Sequence, residues 1–249
     1  MKLNQGKIKK YISVPAGIRV YDSIDSTNDE AKRRADTDHG IVLYASAHQT
    51  AGRGRRGHSF YSPKNTGLYM TLSLPLFAAA HEQRITCAAA VAVCDAITAL
   101  SDQRPRIKWV NDILIGGKKA AGILTELITD SGNQPRAVII GIGLNLCTEE
   151  FPEEFAGHAA NLGDIEINAL CGTIAANLIG WYHHPENNSV IEKYKQLNCC
   201  IGKTVRYTEN GVTHHAAAVD IGDDGSLIVE ENGVITALHS GEISIVPVD

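Results

Sequence analysis

Four short stretches of the chain carry residues whose types and spacing suit chemistry. The first, GRGRRG at residues 52–57, sets three arginines among three glycines. A guanidinium is a planar fork that matches phosphate or carboxylate oxygens, and glycine lets backbone come close to a ligand. The stretch also reads as G-x-G-x-x-G, the phosphate fingerprint of a dinucleotide-binding turn, but that motif must open directly into a helix. Here HSFYSPKNTG follows, with aromatic, proline and turn residues leading to another strand, so no helix N-terminus is in place to receive a pyrophosphate. No acidic residue lies between Asp38 and Glu82, whereas Arg53, Arg55, Arg56 and Lys64 all do. A loop without counter-ions of its own repels itself, and is expected to stay mobile until an anion neutralises it. The plainer alternative is a solvated basic loop.

The second stretch is KWVNDILI, where Lys108, Asn111 and Asp112 interrupt an otherwise apolar strand pair. A Lys and an Asp at that spacing can be a structural ion pair; an Asn beside an Asp at a strand end can equally hold polar atoms of a nucleotide and a hydrated Mg²⁺. The third is GGKKAAGILTEL. Taken singly, Lys118 and Lys119 are ordinary exposed lysines, but a Lys at the start of a strand facing a small, glycine-lined surface can reach into a pocket as a point charge. The fourth is GIGLNL, an apolar strand that ends in Asn145. Two glycines in a buried strand suggest a flat wall against which something planar rests.

Elements must position these groups. Thr27 stands three residues before Glu30, a capping-box spacing that opens a short polar helix to about Ala35. GIVLYASAH reads as a buried strand, TGLYMTLSLPL as a strand of period two, and residues 82–100 as a long alanine-rich helix. RIKWV and ILI are strands, and Gly116–Gly117 turns the chain as a hairpin into KKAAGILTELIT. DSGN turns it again into RAVIIGIGLNL, and residues 164–197 are helices interrupted near His184 and Pro185. From Ile201 the character changes to short strands alternating with Gly, Asp and Asn turns, a small all-β module. The class is α+β: a mixed sheet packed with helices over residues 1–200, then a small β-barrel over 201–249.

Bulk properties narrow the options. A net charge of −5 argues against a protein that coats nucleic acid broadly, though a local basic site stays open. The six cysteines show neither C-x-x-C spacing nor a framework pattern, so all are expected to be reduced thiols of a cytoplasmic protein. No N-terminal apolar segment and no long apolar run points to export or a membrane. The pairs His183–His184 and His214–His215 lack zinc spacing and are expected in exposed loops.

Order and spacing together are more specific than any one stretch. STN, then Q…GRGRRG, then KWxND, then K-x-x-G-I-L-x-E, then G-I-G-L-N resembles the biotin protein ligases, from about Asp22 to the C-terminus. The GEISI stretch near the end looks like that family's SH3-like barrel. The resemblance implies activation of biotin by Mg²⁺-ATP to biotinyl-5′-AMP, then transfer to a lysine of the biotin carboxyl carrier protein of acetyl-CoA carboxylase. It resembles the shorter form of the family, without the winged helix that binds DNA in some members. By the same resemblance Ser26, Thr27, Asn28, Gln49, Gly52, Arg53 and Gly122 belong to the biotin site. Arg55 and Lys119 are the catalytic cations and also touch biotin. Arg56, His58, Phe60, Lys108, Asn111 and Asn145 join Arg55 on the ATP side, and Asp112 is the metal residue. Three positions depart from the family pattern: Val110 replaces a proline, His58 a basic residue, and Phe60 a tryptophan. An exposed sheet edge is open to a second copy of the chain or to the carrier. The rivals are a lipoate ligase or octanoyl transferase, whose lipoyl ring would leave the polar STN…Q set unexplained, and a nucleic-acid-binding module using the arginine loop.

Overall fold

The computed structural model describes residues 1–75, 82–129, 134–184 and 189–246. The expected DSGN turn at 130–133, the interruption at Pro185 and the end of the last strand beyond Val246 lie outside them.

Seven strands form a mixed sheet in the order β1-β2-β3-β7-β6-β5-β4. These are β1 (Gly17–Tyr21), β2 (Val42–Ser46), β3 (Gly67–Pro75), β4 (Arg106–Lys108), β5 (Asp112–Ile115), β6 (Lys118–Thr129) and β7 (Pro135–Asn145). β1 and β2 run parallel; every other neighbouring pair is antiparallel. The long helix α3 (Glu82–Leu100) packs with α5 (Ile167–His183) and α6 (Ser189–Leu197). Side chains alternate across a strand, and Leu68, Met70, Leu72 and Leu74 of β3 enter the core shared with α3 and α5. Thr71, between them, turns to the opposite face and meets α2 (Thr27–Arg33). That second face presents Gly122 opposite Gly143 and Leu124 opposite Gly141 in the register of β6 and β7.

The C-terminal module is a five-stranded antiparallel sheet, order β11-β10-β9-β8-β12, of the SH3-like kind. Its strands are β8 (Thr204–Glu209), β9 (Val212–Ile221), β10 (Leu227–Glu231), β11 (Val234–Leu238) and β12 (Ile243–Ile245). It is joined closely to the rest. Trp109 Nε1 donates to Gly225 O at 3.0 Å, and Lys195 pairs with Asp220 at 3.0 Å. One apolar cluster runs without a break from Leu3 to Ile243.

Several expectations need correction. The cap of α2 is Ser26, whose side chain accepts from Asp29 N, and Thr27 is the first helical residue. Thr27 is unavailable as a cap because its N–H and hydroxyl both donate to Gln49 Oε1, at 2.9 and 3.1 Å. His214 and His215 lie in β9 and not in a loop. The His214 ring stacks on Tyr207 at 4.9 Å and bonds Glu231 at 2.8 Å, so a strand face satisfies it. A short N-terminal helix α1 (Gln5–Lys9), strand β1, and α4 (Glu153–Ala156) were not anticipated. All six cysteines are free thiols.

Candidate active site

A cavity of about 450 Å³ opens on the α2 face of the sheet. Its floor is backbone, because Gly122, Gly141 and Gly143 carry no side chains there. The structure shows what needs that flatness. A Cβ on Gly141 would lie 2.0 Å from Asn28 Oδ1, and one on Gly143 would lie 2.6 Å from the Phe60 ring. The planar groups resting on the wall are therefore the Asn28 amide and the Phe60 ring.

Polar groups at one end arrive on the first turn of α2. Ser26, Thr27 and Asn28 are all buried. Asn28 donates to Glu126 Oε2 at 2.9 Å and accepts from Thr71 Oγ1 at 2.6 Å. Gln49 accepts from Thr27 and donates to Ser62 Oγ at 3.2 Å. Donors and acceptors thus converge within a few ångströms. Burial pushes the Glu126 carboxyl up, but Lys32 and Asn28 outweigh it, and its pKa is lowered.

Cations lie at the other end. Lys119 Nζ is 2.6 Å from Asp112 Oδ1. Arg55 donates to Asn111 Oδ1 at 3.2 Å and to Gly241 O of the C-terminal module at 3.4 Å, while Asn111 Nδ2 donates to Ile123 O at 2.9 Å. The arginine loop is a small hairpin: Phe60 N donates to Gly52 O at 2.9 Å and Gly54 N to His58 O at 2.7 Å, around a 3-10 turn at Arg55–Gly57. Counter-charge that the loop lacks in sequence comes from outside, since Arg53 pairs with Asp29 at 2.5 Å.

A second depression, about 520 Å³, shares Phe60 and Lys119 with the first. Its lining adds Asn145, Tyr61, Phe151, Phe155 and His158. Of the residues expected from the sequence, Ser26, Thr27, Asn28, Gln49, Arg53, Arg55, Phe60, Asn111, Lys119 and Gly122 line the first cavity, and Asn145 the second. The others stand apart from both linings. Gly52 is a packing position, where a Cβ would meet Phe60 O and Ser62 Oγ at 2.5 Å. Arg56 and His58 are exposed at the loop tip, and Lys108 lies on β4. Asp112 is held by Lys119, and among the described residues no three His, Cys, Asp or Glu side chains are grouped to hold a metal.

Sequence reasoning missed Glu126, Lys32, Thr71 and the aromatic pair Phe151 and Phe155. Glu126 was within reach: it is the E of K-x-x-G-I-L-x-E, and period two from Gly122 through Leu124 puts it on the cavity face. The two phenylalanines come from a segment without periodic pattern, and no signal marked them.

The fold and this site define a member of a known class: the chain belongs to the biotin/lipoate A/B protein ligase family, whose model matches residues 20–145. Residues 200–246 match the biotin protein ligase C terminal domain. Over 237 residues the chain is 32% identical to the bifunctional ligase/repressor BirA of Bacillus spizizenii, covering 90% of this chain and 72% of that one. It is 30% identical to the biotin--[acetyl-CoA-carboxylase] ligase of Mycobacterium tuberculosis, covering 88% and 85%. In fold it is similar to the biotin protein ligase from Aquifex aeolicus in complex with biotin and ATP, with a TM-score of 0.76 at 23% identity over 92% and 97% of the two chains.

Proposed function

We propose that this protein is an ATP-dependent biotin protein ligase that modifies a lysine of a biotin carboxyl carrier protein. The observation that carries the reading is the placement of Lys119, a cation common to two adjoining depressions. One is lined by paired amide and hydroxyl groups suited to a ureido ring, and the other is aromatic. Biotin's carboxylate oxygen attacks the α-phosphorus of ATP, and pyrophosphate leaves. The uncharged lysine amine of the carrier then attacks the acyl carbon, and AMP leaves.

The physical demands of these steps match the residues. A ureido group needs donors and acceptors together, which Asn28, Gln49, Thr27 and Ser26 supply. Two anions repel as they approach, so Lys119 and Arg55 offset that charge and stabilise what develops on the phosphorus. The acyl phosphate hydrolyses if water reaches it, and the Phe60 ring with the loop that carries it excludes water from the junction. Asn145, with Phe151 and Phe155, takes the adenine. Gly122 keeps backbone close to biotin, Arg53 flanks it, and Gly52 lets the loop base pack on Phe60 and Ser62. Asn111 holds Arg55 on the ATP side, and Arg56 and Lys108, outside the linings, add longer-range positive charge. The metal implied is Mg²⁺. Asp112 is the carboxylate that would hold it, as fits an ion brought in with the nucleotide. When bound, it neutralises phosphate charge.

The unpaired thiols support a reducing compartment, the cytoplasm. Among the described residues no helix is long and apolar enough to cross a membrane. Strands β1 and β4 end the sheet, and such an edge can take a strand of a second copy or of the carrier. Lipoate chemistry is the less supported reading, since a lipoyl ring offers nothing for Asn28 and Gln49 to bond.

The test is intact-mass analysis of an apo carrier domain incubated with the protein, ATP, Mg²⁺ and biotin, beside lipoate and no-ATP controls. One biotinyl adduct that depends on ATP is expected. An adduct formed with lipoate and not with biotin would overturn the assignment.

A further inference from the structure

The three arginines of the 52–57 loop are not equivalent. Arg55 reaches across the cavity to Asn111 and to Gly241 O, and Arg56 is exposed at the tip. Arg53 lies at the base of the hairpin, bridged to Ser59 on the returning limb. Its guanidinium turns to Asp29 Oδ1 at 2.5 Å, with Glu126 Oε1 3.8 Å away. Glu126 also takes Lys32 Nζ at 2.7 Å, and Lys32 lies 4.0 Å from Asp29. Two carboxylates and two cations therefore close a ring that ties the loop base to α2 and β6. The remaining oxygen of Glu126 holds Asn28 at 2.9 Å. The same ring thus fixes the amide on the glycine wall and the hairpin that covers it.

We propose that Asp29 and Glu126 are positioning residues, which clamp Arg53 so that the hairpin seats Arg55 and Phe60 over the activated intermediate. The proposal rests on the ligase reading for its catalytic consequence and on geometry alone for its structural one. A hairpin pinned at its base moves as a unit. The span from Arg53 to Phe60 carries no carboxylate of its own, so the counter-charge at that base is supplied by α2 and β6. Arg53 and Asp29 are 45% and 29% exposed in their side chains. A pair that accessible contributes little to global stability, so its loss registers in loop position and intermediate retention and leaves the melting temperature in place.

The experiment uses the full chain, with Asp29→Asn and Asp29→Glu. Two readouts are taken. The first is the ratio of bystander labelling, on serum albumin, to carrier labelling in the presence of biotin and ATP. The second, without any ligand, is the rate of tryptic cleavage after Arg55 and Arg56. Asp29→Asn is expected to raise both by about fivefold, the scale of one exposed ion pair. Its melting temperature stays at the wild-type value, and Asp29→Glu restores both readouts. Unchanged cleavage and labelling in Asp29→Asn would overturn the clamp. A wild type that labels no carrier would instead defeat the ligase reading, and the cleavage rates would still decide the clamp.

Discussion

At the scale of single residues, Lys119 and Gly143 do different work. Lys119 presents charge where two depressions meet, and Asp112 holds it there at 2.6 Å. Lys119→Met keeps much of the stem's packing and removes the charge. It should lower the rate of ATP-dependent pyrophosphate release by ~10²–10³-fold, the usual loss for one preorganised electrostatic group, with the melting temperature little changed. A loss below tenfold would place the principal cation elsewhere. Gly143 contributes by what it lacks. Gly143→Ala would put a methyl 2.6 Å from the Phe60 ring, so the ring must leave the wall. The expected cost is about 1–3 kcal/mol in denaturant unfolding, as for other overpacked sites. Phe60→Leu in the Gly143→Ala background should recover part of it; no recovery would mean that the strand backbone, not the ring, absorbs the clash.

At the scale of elements, Trp109 joins the two sheets. Its indole N–H donates to Gly225 O at 3.0 Å, and its backbone N–H meets Cys200 Sγ at 3.4 Å. Trp109→Phe leaves a buried carbonyl without its donor, so unfolding should be easier by about 1–3 kcal/mol. Calorimetry reads this, and an unchanged midpoint would show that the carbonyl finds another partner. This is also where the sequence was hardest to read. Long periodic elements were legible: the helix at 82–100 and the strands around the glycines stand where spacing puts them. The lining of the first cavity was legible where motif order marked it, as at Asn28, Gln49, Arg55 and Lys119. Short elements fixed from a distance were not. Helix α1 is tied down by Asn168 Oδ1, which accepts from Asn4 N at 2.7 Å, and nothing within MKLNQGKIKK announces that partner. Ser26 and Thr27 are both capping types, and the choice between them is made by Gln49, far along the chain. Asp29, Lys32 and Glu126 look like ordinary surface charges until strand and helix bring them to Arg53.

At the scale of the whole molecule, carboxylates paired within residues 19–44 make stability depend on pH. Asp38 is held below the usual range by Arg19, against its burial and with help from Tyr44. Burial pushes Glu30 up, but Arg34, Arg33 and Tyr21 outweigh it and the net shift is downward; Arg33 brings Asp25 to about 2. A carboxyl whose pKa is lower folded than unfolded stabilises the native state above its unfolded value, near 4. That stabilisation fades as pH falls through the folded value. The melting temperature should therefore be level from about pH 7 to 5 and drop steeply toward pH 3. A level profile down to pH 3 would deny these pairs any part in stability.

The unbroken apolar cluster from Leu3 to Ile243 bears on how the chain could be used as a tool. Cut between residues 200 and 201, it would yield two fragments that each bare part of that apolar cluster. Neither fragment could persist as a well-behaved monomer, and each would be the other's best cover. Because Arg55 reaches across the cut to Gly241 O, re-joining the halves would also restore a contact at the cavity. A pair of interacting proteins fused to the two pieces would then leave a covalent mark on the carrier wherever they met.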